Sequence, residues 1–194
     1  MEDASTKGIE ARRLPPGSHG IPADVVARNQ RERLVAAMAE VCAERGYAQA
    51  SVALVAKQAG VSSVTFYKQF SDKRDCMLAA HEQLLGRLLE EVDRAREGES
   101  AFGARTRATI HTALALFAAD PPSARLLTVE ILAIGSEGAK RHDAMVEVLA
   151  ERLGADWVRT AGMLALIGKL VVLGKADRLV GLEGDLVVTV SPQS

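Results

Sequence analysis

An all-α fold is predicted for this 194-residue chain by three observations. Alanine and leucine dominate while aromatics are few, apolar residues recur at helical spacing, and the alternating pattern of a strand is absent until near the end. About nine helices are expected, divided between an N-terminal three-helix unit with a helix-turn-helix and a larger C-terminal helical unit. The length exceeds what one short unit needs and leaves about 120 residues for a second core.

Residues 1–22, with Pro15-Pro16-Gly17 and His19-Gly20, read as a flexible arm. Lys7, Arg12 and Arg13 fit an arm reaching a minor groove, while Glu2, Asp3 and Glu10 favour a solvated tail. The helix-turn-helix domain is assigned to 23–73 and the remainder, 74–194, to a second helical domain. A first helix over 24–45 turns Val26, Leu34, Ala37, Met38 and Val41 inward, and Gly46 ends it. Arg28, Arg31 and Arg33 lie near its start, and one or two of them are expected to touch backbone phosphate. Ser51 stands at the N-cap of a second helix whose stripe is Val52, Val55, Ala56 and Ala59, and Gly60 stops it. Ser62 caps a third helix that buries Val61, Phe66 and Phe70. Its remaining positions, Ser63, Thr65, Tyr67, Lys68 and Gln69, stack hydroxyl, amide and ammonium donors, a face suited to the major groove. Ser71 or Asp72 caps a fourth helix over 72–96, with Leu78, His81, Leu85, Leu88 and Val92 on one side; it is long enough to link two domains.

Charge follows the same division. Between Arg45 and Arg74 five basic residues (Arg45, Lys57, Lys68, Lys73, Arg74) face one acid, Asp72, about +4 in a chain that is formally −1. A phosphate-binding surface requires that concentration.

After Gly98-Glu99-Ser100 a helix is expected over 101–119, ended by Asp120-Pro121-Pro122, and another from there to about Ile134, since proline is tolerated in a first turn. Gly135 and Gly138 bracket the turn into a helix over 137–153. The next, 156–173, is apolar on two sides, one stripe being Ala161, Leu164, Ala165, Gly168 and Val172 and the other Met163, Leu166, Ile167 and Leu170. One of those sides is expected to face a partner subunit. Over 176–190 a short helix is favoured against a strand or disorder, because Val187, Val188, Thr189 and Val190 lower helix propensity. Residues 191–194 are expected to fray.

The string Thr65-Phe66-Tyr67-x-x-Phe70-x-x-Lys73, with Ala59-Gly60-Val61-Ser62, closely resembles the DNA-binding domain of TetR-type transcriptional regulators across about residues 26–80. The resemblance implies that Ser63, Val64 and Thr65 face base edges and that Tyr67 and Gln69, Gln69 standing where many relatives carry His, lie on phosphate. It implies that Ser51 caps and contacts phosphate together, and that Lys73 clamps the backbone. With Ser62 and Lys68 these residues form the candidate interface to a double-stranded operator. No arginine stands on the outer face of the reading helix, so sequence preference is expected to lean more on shape and on arms than on bidentate base contacts. The resemblance also implies homodimerisation through the last two helices and a small-molecule effector bound inside the larger domain. Polar residues on apolar helices are the candidate ligand contacts: His81, His111, Glu130 and Trp157. For Glu130 a structural pairing with Arg125 or Arg105 stands beside that reading.

Other classes are poorly supported. The chain has no phosphate-cradling glycine loop, no Gly-x-Ser-x-Gly and no His-Glu-x-x-His, so no enzyme is expected. No cofactor is indicated, and a metal site from His81, His111 and Glu130 lacks the needed spacing. Cys42 and Cys76 suggest neither disulfide nor zinc; Cys42 reads as a small buried hydrophobe. The polar first twenty residues are not a signal peptide, and the apolar run 162–174 is too short to span a bilayer and contains Lys169. A cytoplasmic, ligand-responsive repressor follows, the alternative being a dimeric helical sensor that acts through a protein partner without operator binding.

Overall fold

A computed structural model describes residues 22–190, so the expected arm (Pro22 excepted) and the last four residues lie outside the described part. Nine α-helices are present among the described residues: α1 (Ala23–Arg45), α2 (Val52–Gln58), α3 (Ser63–Gln69), α4 (Lys73–Arg96), α5 (Phe102–Ala119), α6 (Pro121–Thr128), α7 (Ser136–Leu153), α8 (Trp157–Val172) and α9 (Glu183–Val190). The chain divides into two compact units between Ala80 and His81, a cut that falls within α4.

In the first unit α1 packs on both short helices, and α2 packs on α3. Leu34, Ala37, Met38 and Cys42 of α1 meet Val55, Ala56 and Ala59, with Phe66 and Phe70, in a core that excludes water. Each large side chain buried there contributes about 1.5–3 kcal/mol. Helices as short as α2 and α3 do not hold by themselves in water, so this packing and their caps determine their orientation.

The second unit builds its core from Ile110, Leu114 and Phe117 of α5, Leu126 and Leu127 of α6, Met145, Val146 and Leu149 of α7, and Leu164 and Ile167 of α8. The expected single helix from the prolines to Ile134 is not continuous. It ends at Thr128, Val129 leaves helical geometry (φ −130°, ψ −59°), and Glu130–Ile134 forms a 3-10 turn. The Thr128 hydroxyl donates to the Ala124 carbonyl at 2.7 Å, a back-bond that bends helices, and β-branched Val129 follows it. The Arg125–Glu130 pair at 2.8 Å spans the break.

The C-terminal segment is helical in pieces: 3-10 turns at Ala176–Arg178 and Val180–Leu182, then α9. Leu179 and Leu186 are buried, and α9 packs on α5 and α8. Tertiary burial therefore overrides the β-branched composition.

Candidate nucleic-acid interface and effector domain

The helix-turn-helix is built from its caps outward. Ser51 is extended and its Oγ accepts from Leu54 N at 3.2 Å, starting α2. At the other end Gly60 takes φ +63°, its N–H donates to the Lys57 carbonyl (3.0 Å), and Val61 N–H donates to the Ala56 carbonyl (2.9 Å). These two bonds form a Schellman stop, for which glycine is the residue without a steric penalty. Ser62 Oγ then accepts from Thr65 N at 3.0 Å and pairs with the Thr65 hydroxyl at the same distance, opening α3 two residues after the turn.

α3 turns Phe66 inward, and Phe70 beyond its end is also buried. Tyr67 packs edge-on against Phe66 with centroids 5.6 Å apart. The opposite face carries Ser63, Val64, Tyr67 and Lys68, all exposed, with Val64 at 68% and Tyr67 at 59%. Thr65 and Gln69 are half-buried at its edges. An exposed valine beside hydroxyl and ammonium donors, on a helix narrow enough for the major groove, can meet a thymine methyl and base or phosphate acceptors.

Three basic residues expected near phosphate are engaged elsewhere. Lys73 Nζ donates to the carbonyls of Tyr47 (3.1 Å) and Ala50 (2.9 Å) and sits 4.4 Å over the Tyr47 ring, leaving one N–H of the ammonium for an outside acceptor. Arg31 donates to the Gln69 carbonyl at 3.0 Å while stacking 4.3 Å from the Phe70 centroid. Arg33, buried at 7% exposure, donates to the carbonyls of Ala59 and, at 2.8 Å, Gly60. Helix ends leave carbonyls without amide partners, and cations stabilise them there. The sequence suggested phosphate contact for one or two of Arg28, Arg31 and Arg33 from their place near the helix start; nothing in the pattern showed carbonyls converging on Arg31 and Arg33. The fourth helix starts as expected from Ser71-Asp72: Asp72 accepts from Asp75 N (2.8 Å), and Asp75 accepts from Ser71 N (2.9 Å). Both cysteines are buried and free, and burial pushes the Cys76 thiol pKa well up.

In the second unit the four candidate ligand residues have separate settings. His111 is exposed and its Nδ1 meets Glu183 at 2.8 Å, with Arg107 3.6 Å from the same carboxylate, so it ties α5 to the start of α9. Glu130 is buried against Arg125, the structural pairing weighed above. Trp157 is 46% exposed at the start of α8. His81 is buried, its Nε2 lacks a hydrogen-bond partner, and burial, with Arg141 and His142 nearby, pushes its pKa down to about 4. None of the four lines a cleft of about 260 Å³ found in this unit. Its floor is Leu84, Leu88, Leu116, Phe117 and Leu127, and its rim is Arg87, Glu90, Glu91, Asp120 and Ser123.

The expected dimer stripe also divides. Leu164 and Gly168 are inside the unit, a Cβ on Gly168 lying 2.9 Å from Val129 Cγ2, so they pack α8 on the α6 end and are not available to a partner. Ala161 is half-buried, whereas Ala165 and Val172 are exposed with Val158 and Leu166. Among the described residues no group of three His, Cys, Asp or Glu side chains is placed to hold a metal ion, and no helix is long and apolar enough to cross a membrane.

Residues 34–80 match the sequence profile of the bacterial regulatory proteins, tetR family. Over 61 residues the chain is 36% identical to the fatty acid metabolism regulator protein of Bacillus subtilis (strain 168), a match covering 31% of each chain; it thus spans about a third of that relative's length. The fold is similar to the transcriptional regulator FadR from Bacillus subtilis in complex with stearoyl-CoA, with TM-score 0.72 and 21% identity over 84% of this chain and 99% of that one. It is similar too to the fatty acid degradation regulator FadR from Bacillus halodurans (TM-score 0.69, 19% identity, 82% and 93% covered). A transcriptional regulator from Rhodococcus sp. Rha1 gives TM-score 0.61 at 26% identity, with 82% and 92% covered.

Proposed function

We propose that this chain, whose helix-turn-helix is that of the TetR family, is a homodimeric repressor that leaves a near-palindromic operator when a small effector binds its C-terminal unit. The observation that carries the reading is the exposed face of α3: Ser63, Val64, Tyr67 and Lys68 project from a helix anchored by Phe66 and Phe70. Two such helices, one per protomer, would read half-sites about one helical turn apart. Ser63, Val64 and Thr65 meet base edges; Ser51, Ser62, Tyr67, Lys68, Gln69 and the free N–H of Lys73 meet phosphate. No catalysis is involved. The protein acts in the cytoplasm, where its DNA is.

Dimerisation uses the apolar face that α8 leaves exposed, Val158, Ala165, Leu166 and Val172. The cleft over Leu84, Leu88, Leu116, Phe117 and Leu127 suits an effector with an apolar body; its size lies just below the about 300–1,000 Å³ usual for small-molecule sites. The stearoyl-CoA held by the Bacillus subtilis structure makes long-chain acyl-CoA the first compound to try.

The test is a gel-shift titration on DNA from upstream of the protein's own gene, with a scrambled duplex and a Tyr67→Ala, Lys68→Ala double variant alongside. Selective binding by the parent, lost in the variant and relieved by acyl-CoA, is the expected result. Selective binding that survives the double variant would displace the interface from α3. An effector that binds but leaves operator affinity unchanged would remove the allosteric half, since coupling between the two ligands is reciprocal.

A further inference from the structure

The Schellman bonds at the turn satisfy the Ala56 and Lys57 carbonyls but not those of Ala59 and Gly60, which the Arg33 guanidinium takes from below. We propose that Arg33 is a positioning residue that fixes the angle of α3 and so sets operator selectivity, an inference that rests on the DNA-reading function proposed above.

The geometry supports this in three steps. α3 has seven residues and begins three positions after Gly60, so the orientation of the Ala59 and Gly60 peptides is passed almost directly to Ser63 and Val64. The guanidinium belongs to α1, the long helix of the unit, and is buried, so it holds those peptides to a rigid reference rather than to solvent. Both bonds come from one terminal nitrogen, Nη2, which stands one atom further from the backbone than the ammonium of a lysine would, so a lysine at this position falls short of the two carbonyls. Base readout depends on placement to within about 1 Å, whereas a phosphate contact by flexible Lys68 does not. Arg33 therefore acts on selectivity through α3 while touching no DNA.

The test uses the full chain. The parent protein enriches a duplex from a random-sequence library, and that duplex and its scrambled counterpart become the probes. Arg33→Met, with helical circular dichroism like the parent's, is expected to bind the enriched duplex about tenfold or more weakly. Its binding to the scrambled duplex should stay within about twofold, with an unchanged salt slope because no phosphate contact is lost. Arg33→Lys should lie between. Undiminished selectivity in folded Arg33→Met, or in folded Arg33→Lys should the Met variant not fold, overturns the inference. So does an equal loss on both duplexes with a shallower salt slope, which would make Arg33 a phosphate contact. Loss of fold in both variants would make its role purely structural and overturn it as well. A parent protein that enriches no sequence fails earlier, at the DNA-reading function, and takes this inference with it.

Discussion

Lys68 and Lys73 lie five residues apart and have different physical roles. Lys68 is exposed on α3, whereas two of the three ammonium protons of Lys73 are directed at Tyr47 and Ala50 carbonyls. Lys68→Ala should weaken binding to all DNA sequences alike and lower the salt slope by about one unit, read from affinities at several salt concentrations. Lys73→Met should lower the slope less and instead destabilise the first unit by about 1–3 kcal/mol, seen in urea melts, because part-buried carbonyls lose charged donors. His81 sets a pH dependence. Its folded pKa of about 4 lies below the usual value of about 6.5, so between those limits the unfolded chain binds a proton that the folded chain does not. Stability therefore rises with pH across that window, and acidification from pH 7 to 4 removes up to about 3 kcal/mol. Urea melts at pH 7, 5.5 and 4.5 should show the loss in the parent and a flatter profile in His81→Leu.

At the scale of elements, the most tightly specified junction is the start of α7. A Cβ on Gly138 would lie 1.9 Å from the Ile131 carbonyl oxygen and 2.6 Å from Ile134 Cγ1. The conflict is with backbone, so Gly138→Ala should destabilise the second unit by about 1–3 kcal/mol or more in a denaturant melt. The sequence identified this glycine only as part of a turn. Most helices were legible because caps and stripes are local: Ser51, Ser62, Asp156 and the prolines after Asp120 each start a helix where expected. The break at Val129 was not, because apolar periodicity runs on through Leu126, Leu127, Ile131 and Leu132 while a single back-bond and two dihedral angles end the helix. Likewise the two stripes of α8 look equivalent in sequence. In the structure each divides: Leu164 and Gly168 of one and Met163 and Ile167 of the other are buried, while Ala165 and Val172 of the first and Leu166 of the second are exposed. His111, Trp157 and Glu130 were chosen for polarity on apolar helices, and burial and pairing, which give each an exposed or salt-bridged setting, are not visible in that pattern.

For the whole molecule, the proposed function depends on two copies acting together. Val158, Leu166 and Val172 expose apolar surface on α8 at 72%, 40% and 46%. Placing a charge at the centre of such a face, Leu166→Glu, should shift the protein to a monomer in sedimentation-velocity experiments. Helical content should be unchanged, because the side chain is outside the core. Operator binding should fall with it, since a single protomer reads one half-site only. A variant that remains dimeric would place the interface on another surface.

The two buried thiols have a practical consequence. Cys42 and Cys76 are the only cysteines of the chain, both shielded inside the first unit, and burial disfavours the thiolate at Cys76. Thiolate is the species that reacts with oxidants and maleimides. Peroxide or an electrophile should therefore leave DNA reading unaffected, and no cysteine-free background is needed for site-specific labelling. One cysteine introduced at exposed Val188 would take a fluorophore cleanly, and dye transfer between the two copies of a dimer would then follow effector binding directly.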